Sequence, residues 1–553
     1  MSIPTEADYI IIGGGLTGSA FTSRLAERLG SSASILILEA GPDPRDNPNA
    51  TSLGGGFALA GSDLDWAYKT APIPSLDNRS ITLTAGKTLG GGSILNYGGW
   101  SRGDRSDYDA WARIVGDERW SYEGLLKYFK RSEAFREGEA DRAQHGRDGP
   151  MKISSISGSD AKRKYPLREP LLKAWTELGV QRVSSSAGKL AGLSEFLENF
   201  NDGVRQPSHL AYDLSGVEVR TNTPVRRILF ERSPEIENPR AVGVELADGR
   251  HVEARKEIIL AAGAIRSPHI LQLSGVGPAS MLIQHSIPVV YDSPAVGQNM
   301  FDHFAFFQVF KLRNPERGLA LGHPKLTDPA MFKGMPVDWI VNEALPAEKL
   351  VKALSEDGDS VDTRKLGDAG RTHAETMILY SPLAPGVPVD GSFIGTSVML
   401  TLPTSRGSVG LASASSDDPP LIQGNYFSTS TDRAVLVRGA RRLLQCLLST
   451  KAGRDVVEAE FAPAPGLEPL TLESSDKEIE DRIRMVGSPH FHVAGTCALG
   501  TVLDAELRVK GVTGLRVVDA SIFPAPLGGH PQASLYGIAD LAAEMIVGSK
   551  DVK

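Results

Sequence analysis

A glycine-rich turn between an apolar strand and an amphipathic helix is the feature that most constrains the fold of this chain. The run 8–12 (DYIII) is apolar, as a buried parallel strand requires, and it leads into 13–18 (GGGLTG), a G-x-G-x-x-G pattern. Residues 19–29 then repeat apolar side chains at four-residue intervals, which is typical of a helix with one buried face. A second apolar run, 35–38 (ILIL), completes a strand–helix–strand unit. The sequence therefore predicts a doubly wound dinucleotide-binding domain at the start of the chain.

The glycines of this unit each have a distinct physical role. Gly13 permits the tight turn, Gly15 lets the backbone approach a pyrophosphate, and Gly18 lets the helix pack closely on the strand. Glu39 stands twenty-one positions after Gly18, where an acidic side chain can accept hydrogen bonds from ribose hydroxyls. A carboxylate there would repel a 2′-phosphate, which argues against NADP. The motif does not distinguish FAD from NAD.

Length, charge and cysteine content limit the number of domains, the kinds of partner and the compartment that we expect. A chain of 553 residues is too long for one core and suggests two to four domains. The net charge of −8 gives no reason to expect a nucleic-acid partner or an anionic membrane surface. No apolar run approaches the roughly 18 residues of a membrane span, and no signal-peptide pattern precedes the first strand. With two cysteines and no secretion signal, we expect a cytoplasmic protein.

Later segments predict more of the same sheet and a second domain. The runs 242–246 and 250–253 flank Asp248-Gly249, which indicates a β-hairpin. The apolar run 257–262 leads to another glycine and predicts a further strand of the nucleotide-binding sheet. Residues 313–395 have no sustained periodicity and are interpreted as part of a second domain with long loops, which could form a substrate lid.

Two histidines near the carboxyl end are candidate catalytic residues. His492 lies in 492–497 (HVAGTC), and His530 lies in 526–531 (PLGGHP). A single histidine is more often structural than catalytic, but a nucleotide cofactor together with two histidines could move a hydride and a proton together. No metal ligand set is predicted.

Several blocks of sequence resemble one enzyme family. The stretches 86–96 (GKTLGGGSILN) and 263–277 (GAIRSPHILQLSGVG) are similar to the two signatures of the glucose–methanol–choline (GMC) oxidoreductases. The stretches 296–303 (VGQNMFDH) and 515–521 (LRVVDAS) resemble further family blocks. These blocks occur in the family order, and together with the first motif and the terminal helix they span residues 8 to 546.

The resemblance implies an α/β fold in which an FAD-binding, Rossmann-like domain is interleaved with an α+β substrate domain built on an antiparallel sheet. Its expected division assigns 1–155, 216–312 and 493–553 to the FAD-binding domain. It assigns 156–215 and 313–492 to the substrate-binding domain.

The resemblance also assigns roles to individual residues. His492 matches the family's catalytic base, and His530 matches a second position that is His or Asn. His490, His303 and His269 are expected to be structural, although His490 is close enough in sequence to reach the same site. The expected FAD-binding residues are Gly13, Gly15, Thr17, Gly18, Glu39, Ala40, Gly86, Leu89, Gly91, Gly92, Asn96, Val225, Ala262, Asp519, Ala520, Pro531 and Gln532. Some family members attach FAD covalently through a histidine just before the signature asparagine; because Leu95 stands there, we expect non-covalent FAD.

The expected reaction is oxidation of a primary or secondary alcohol to an aldehyde or ketone. His492 would accept the hydroxyl proton while a hydride moves to flavin N5, and His530 would hold the same oxygen. The electron acceptor is left open between O₂, which is preferred, and a quinone-like compound. The favoured substrates are polyketide, terpenoid or aromatic alcohols of intracellular small-molecule biosynthesis.

Three alternatives remain at this point. A hydroxynitrile-lyase-like enzyme of the same fold would use the histidine without reducing the flavin. A non-catalytic flavoprotein is disfavoured by the presence of both histidines. An NAD-dependent dehydrogenase would explain the first motif but none of the later blocks. The sequence assigns no oligomeric state.

Overall fold

The computed structural model of the chain describes residues 3–136, 142–184, 188–232, 238–358, 371–382 and 384–548. Its strands, in chain order, are β1 (Glu6–Ile12), β2 (Ile35–Leu38), β3 (Tyr68–Lys69), β4 (Thr82–Leu83), β5 (Glu133–Phe135), β6 (Met151–Ser155), β7 (Gly192–Glu195), β8 (Leu197–Glu198), β9 (Phe200–Asn201), β10 (Val204–Arg205), β11 (Glu218–Arg220), β12 (Val225–Glu231), β13 (Arg240–Leu246), β14 (His251–Leu260), β15 (Val276–Gly277), β16 (Tyr291–Asp292), β17 (Phe304–Leu312), β18 (Trp339–Glu343), β19 (Ala374–Leu379), β20 (Phe393–Leu400), β21 (Ser408–Gly410), β22 (Leu421–Gln423), β23 (Val457–Phe461), β24 (Ser488–Pro489) and β25 (Leu515–Val517).

The α-helices among the same residues are α1 (Leu16–Leu29), α2 (Gly55–Leu59), α3 (Gly92–Leu95), α4 (Arg105–Val115), α5 (Tyr122–Ser132), α6 (Ile156–Ser159), α7 (Arg168–Glu177), α8 (Ser208–Ala211), α9 (Gly263–Leu273), α10 (Ala279–Gln284), α11 (Ala347–Asp357), α12 (Ser430–Leu448), α13 (Lys451–Val456), α14 (Asp476–Val486) and α15 (Pro531–Gly548).

The first large sheet has the order β11–β2–β1–β14–β13–β12, and β25 also pairs with β14. Strands β11, β2, β1, β14 and β25 are mutually parallel, whereas β13 and β12 add an antiparallel edge. The hairpin predicted around Asp248-Gly249 is confirmed, because β13 and β14 pair antiparallel across that turn. The sequence suggested two short runs after this turn, but the structure has one ten-residue strand, β14, which continues from the hairpin into the parallel part of the sheet.

The second large sheet is antiparallel, with the order β23–β17–β20–β19–β18–β7, and β24 pairs with the start of β17. The sequence-based division placed residues up to 312 in the FAD-binding domain. Strand β17 lies instead within the second sheet, paired with both β20 and β23, so the change of sheet occurs near residue 303. The segment 313–395, interpreted as part of a second domain with long loops, contributes β18, α11, β19 and the first three residues of β20; residues 359–370 and 383 of that segment lie outside the described residues.

Helices enclose the first sheet and bring the two ends of the chain together. Helix α1 packs against α15, and α15 in turn packs against α5. Most residues of α15 are buried, which explains why its sequence is apolar on all faces rather than on one stripe. None of the helices within the described residues is long and apolar enough to cross a bilayer.

A fully buried ion pair holds part of the substrate-side structure in place. Arg163 hydrogen-bonds Glu198 on β8, and both side chains are completely shielded from solvent. The Glu198 carboxylate also accepts the backbone N–H of Met335 at 2.8 Å, and Arg163 donates to the carbonyl of Met335 at 2.8 Å. Removing one partner of such a pair leaves an uncompensated charge in the interior.

Arg163→Met is therefore expected to lower the free energy of unfolding by about 3–5 kcal/mol, because Glu198 would remain buried without its counter-ion. The matched control is Arg250→Met, which removes the partner of Asp248 in a pair whose side chains are about half exposed. That change should have little effect on the free energy of unfolding, because the pair is solvated. Urea unfolding followed by tryptophan fluorescence measures both; equal effects would contradict the expectation.

Candidate active site

A cavity of about 1190 Å³ lies between the two large sheets. Its wall includes Ile12 and Leu38, which end strands β1 and β2 of the parallel sheet. The opposite wall includes Gln308, Met377 and Ser397 from three strands of the antiparallel sheet. One side of the cavity is thus built from the ends of parallel strands, where ligands bind in open α/β sheets.

The glycine turn after β1 brings the start of helix α1 to this cavity. Gly13 has φ +101°, and a Cβ there would lie 2.5 Å from the carbonyl oxygen of Ala261. A Cβ on Gly18 would lie 2.1 Å from the oxygen of Gly13, so the helix can pack this closely only without a side chain. The first helical residues, Leu16 and Thr17, line the cavity. The free backbone N–H groups of the helix start suit an anionic phosphate.

Acidic side chains follow the ends of two other parallel strands. Glu39, just after β2, accepts the N–H groups of Gly14 and Gly41 at 2.8 Å each. Asp519, just after β25, accepts the N–H of Gly263 at 2.9 Å. Both carboxylates are buried, which raises the pKa of each, while the hydrogen bonds from backbone N–H groups oppose that rise.

The stretch 86–96 forms a second glycine-rich loop against the first. Gly91 has φ +49°, and a Cβ there would lie 2.7 Å from the Cα of Gly15, so the two loops touch through backbone. A Cβ on Gly92 would meet none of the described atoms within 4 Å, because this residue faces the open cavity. Arg205 anchors the end of the loop by donating to the carbonyl oxygen of Asn96, although the arginine itself is buried.

These features fit an FAD-sized group. The cavity offers a helix start for phosphates, a buried carboxylate for a ribose and a loop without side chains for close approach. The lining includes most of the residues that the sequence assigned to the cofactor: Gly13, Gly15, Thr17, Glu39, Ala40, Gly86, Gly91, Gly92, Asn96, Val225, Ala262, Asp519, Ala520, Pro531 and Gln532. Two assigned residues do not line it. Gly18 lies behind the turn, and Leu89 packs its side chain against Gly14.

His490 and His492 extend from a short segment that pairs with the start of β17. Strand β24 ends at Pro489, directly opposite Phe304. The backbone N–H of His490 donates to the oxygen of His303 at 2.7 Å, and that of His492 donates to the Asp302 carboxylate at 2.7 Å. The dipeptide 302–303 therefore fixes both histidines of this segment.

The ring of His303 sets the proton position on His492. Nε2 of His303 lies 3.1 Å from the carbonyl oxygen of Leu527, which can only accept, so this nitrogen carries the proton. Burial lowers the pKa of His303 to about 3, so its Nδ1 is an acceptor. Nδ1 of His492 lies 3.0 Å from it and must donate. Neutral His492 is thereby left with an unprotonated Nε2, the form that can accept a proton.

His530 is held by a different set of contacts. Its backbone N–H donates to Ser101 Oγ at 2.8 Å, and its Nε2 lies 2.9 Å from Oε1 of Glu375 on β19. The loop before it is fixed by Asp107, which accepts the N–H of Gly528 at 2.7 Å. Glu375 is nearly inaccessible to solvent, so it orients the ring from inside the second sheet.

The structure brings three histidines together rather than the two that were assigned. One ring nitrogen of each of His490, His492 and His530 lies within 4.8 Å of the others. Burial, reinforced by the neighbouring imidazoles, lowers the pKa of His492 and His490 well below the ordinary value. His492 is therefore neutral at neutral pH. His269 lies within helix α9, buried and outside this cluster, as expected of a structural residue.

Sequence reasoning missed two contributors to this site, His303 and Glu375, and gave a third, His490, no role in it. His303 belongs to the stretch 296–303, but nothing in that stretch indicates that its ring meets His492. His490 has no motif of its own; its place two residues before His492 was the one available signal. Glu375 lies in a region interpreted as loops, and no sequence signal pointed to it.

Comparisons with known proteins point to one enzyme family. Two family models, both described as GMC oxidoreductase, match residues 7–305 and 403–539. The GMC-type oxidoreductase acuG of Aspergillus aculeatus is 39% identical over 546 residues, covering 98% of this chain and 99% of that protein. The oxygen-dependent choline dehydrogenase of Cronobacter sakazakii is 32% identical over 582 residues, covering 98% and 95% respectively.

A solved structure has the same fold as this chain. The crystal structure of a formate oxidase superposes with a TM-score of 0.87 at 28% identity, covering 100% of both chains. The α/β architecture with a sheet-based substrate domain is thus confirmed.

Gly92→Val is expected to weaken cofactor binding, because two methyl groups would enter the cavity where the group must approach the loop. Overpacking of this kind costs about 1–3 kcal/mol, which is about tenfold or more in affinity. The measurement is the ratio of flavin to protein absorbance after purification. Gly54→Val is the matched control, since Gly54 is exposed, has φ −79° and also has none of the described atoms within 4 Å of its Cβ position. A Gly92 variant that keeps its full flavin content would contradict the assignment.

Proposed function

The chain belongs to the GMC oxidoreductase family, an FAD-dependent family, and from this premise we propose that it oxidises an apolar primary or secondary alcohol to an aldehyde or ketone. The observation that carries the proposal is the proton arrangement on His492, whose unprotonated Nε2 belongs to a residue of the cavity wall. FAD, when bound, would supply the hydride acceptor for this reaction.

Four residues of the chain would have separate roles in the proton transfer. An alcohol releases hydride readily only if its hydroxyl proton is removed at the same time, and Nε2 of His492 accepts that proton. His530 would lie on another side of the same hydroxyl group, and Glu375 keeps its ring in place by accepting from Nε2. His303 prevents His492 from taking the opposite tautomer, which would place a proton on the nitrogen that must accept one. A base positioned in this way contributes on the order of 10²–10⁴-fold to the rate.

The cavity wall indicates an apolar substrate. The substrate side presents aromatic and aliphatic side chains: Phe196, Phe307, Met377, Leu379, Phe461 and Phe491. Two charged residues of the wall, Glu460 and Arg482, neutralise each other at 3.2 Å. An aromatic, allylic or polyketide-like alcohol of small-molecule biosynthesis suits this surface better than a charged or highly hydroxylated one.

In the decisive experiment, the purified holoenzyme is mixed anaerobically with a panel of benzylic, allylic and aliphatic alcohols. The absorbance of the flavin band at about 450 nm is recorded. One apolar class should bleach the band. Re-admission of air then distinguishes an oxidase from a dehydrogenase, because only an oxidase recovers its colour without an added quinone. His492→Ala should slow bleaching by about 10²–10⁴-fold while the flavin content is retained.

His251→Ala is the control for this variant, because His251 is exposed on β14 away from the cavity. It should bleach at the rate of the unchanged protein. If no alcohol bleaches the flavin but carbon–carbon cleavage products accumulate, the non-redox lyase alternative replaces alcohol oxidation. Equal rates for the His492 variant and its control would exclude His492 as the base.

We also propose that FAD is bound without a covalent link. Leu95 stands at the cavity wall beside Asn96, and its side chain has no nucleophilic nitrogen. Denaturation with acid or heat should therefore release all of the flavin into the supernatant. Flavin that stays with the precipitated protein would overturn this proposal.

A further inference from the structure

We infer that His490, His492 and His530 form a binding site for a soft divalent cation such as Zn²⁺, and that occupation of this site inhibits the enzyme. The metal-binding part of this inference depends only on the three imidazoles. The inhibitory part rests on the proposed function, because it requires His492 to be the proton acceptor.

The spacing of the three rings matches a tetrahedral zinc centre. Zinc binds imidazole nitrogen at about 2.0–2.1 Å, which places each ring centroid about 3.2 Å from the ion and the centroids about 5.2 Å from one another. The observed separations are 5.4 Å for His490–His492, 5.1 Å for His492–His530 and 5.9 Å for His490–His530. One ring nitrogen of each histidine lies within 4.8 Å of one ring nitrogen of each of the other two, and ring rotation would have to bring the coordinating nitrogens to the roughly 3.4 Å that zinc requires.

Outer hydrogen bonds already orient two of the ligands. Metal-bound histidines usually donate their second ring N–H to a carboxylate or another acceptor, which fixes the tautomer and the ring orientation. Here Glu375 accepts from Nε2 of His530, and His303 accepts from Nδ1 of His492. The other nitrogen of each ring is left with its lone pair available. Glu375 also supplies a buried negative charge that partly compensates the dication.

The third ligand is what distinguishes this site from a pair of catalytic histidines. His490 stacks on Phe307 with ring centroids 5.6 Å apart, and its Nε2 lies 3.2 Å from Ser397 Oγ. A histidine pair alone binds zinc weakly, whereas three imidazoles with an open fourth position are a common zinc set. The open position lies in the substrate cavity, where water or the alcohol oxygen would complete the shell.

A bound cation would block the proposed reaction directly. The cation would be coordinated by the Nε2 lone pair of His492, which otherwise accepts the hydroxyl proton. It would also occupy the space of the substrate oxygen. Inhibition should therefore be competitive with the alcohol and reversed by a chelator. Mg²⁺ should have no effect, because it prefers oxygen ligands and keeps its water shell.

Calorimetric titration of tag-free holoenzyme with ZnCl₂ in a non-coordinating buffer tests the binding. One equivalent per chain should bind saturably, and His490→Leu should weaken the affinity at least about tenfold. Glu375→Gln keeps all three imidazoles and should weaken binding about 10–100-fold through loss of the outer carboxylate. His251→Ala, which removes an exposed histidine elsewhere, should bind as the unchanged protein does.

The result that would overturn the site is an absence of saturable binding at one equivalent, or a His490 variant that binds zinc as tightly as its control. Flavin bleaching by alcohol, measured with and without ZnCl₂, separates the two proposals. Stoichiometric binding in a protein that no alcohol bleaches would refute alcohol oxidation and leave the metal site standing. Bleaching that ZnCl₂ does not slow, despite stoichiometric binding, would refute inhibition.

Discussion

The hydrogen bonds of His303 are the interaction on which the active site depends. This residue stands just before β17 of the antiparallel sheet, yet its Nε2 donates to Leu527, in the loop that leads into α15. Its Nδ1 accepts from His492, and its backbone oxygen accepts from His490. Since a neutral imidazole carries one proton, donation at one nitrogen forces acceptance at the other. One contact with a carbonyl therefore determines the protonation of His492 and links the segments that carry all three cavity histidines.

The parallel sheet imposes a second constraint from the opposite wall. Strands β1, β2, β14 and β25 run in the same direction, so the residues after each of them meet at one edge: the glycine turn, Glu39, Ala262 and Asp519. Buried carboxylates at such an edge need donors, and the backbone N–H groups of Gly14, Gly41 and Gly263 provide them. The wall proposed to bind the cofactor is thus fixed by backbone geometry, whereas the wall that carries the histidines is fixed by side chains.

The difference between local and long-range contacts explains what the sequence could predict. The strand–turn–helix from 8 to 29 is formed by local contacts, so the sequence pattern predicts it. A Cβ on Gly13 or Gly18 would clash with nearby backbone atoms, as the predicted roles of these glycines require. His492 and His530 were candidates from their sequence context together with the resemblance. Their partners were not, because His303 is 189 positions from His492 and Glu375 is 155 from His530. No periodicity encodes contacts at such separations. The predicted boundary at 312 differs from the sheet order for the same reason: an apolar strand does not indicate which of two sheets it will join, and β17 joins the antiparallel one.

Backbone strain near the base has a physical explanation in these same contacts. Phe491, between His490 and His492, has φ +62°, a left-handed conformation that is uncommon for an aromatic residue and costs on the order of 1–3 kcal/mol. Such strain persists only where neighbouring contacts over-determine the backbone. Here the N–H groups on both sides are held, by the oxygen of His303 and by the Asp302 carboxylate, which also accepts Tyr426 Oη–H at 2.8 Å. Burial raises the pKa of Asp302 to about 7, and hydrogen bonds from Tyr426 and from the backbone N–H groups of His492 and His303 oppose that rise. The strain at Phe491 is thus offset by a buried network that holds two imidazoles at the same cavity, and that juxtaposition is what the proposed proton transfer and the proposed cation binding both require.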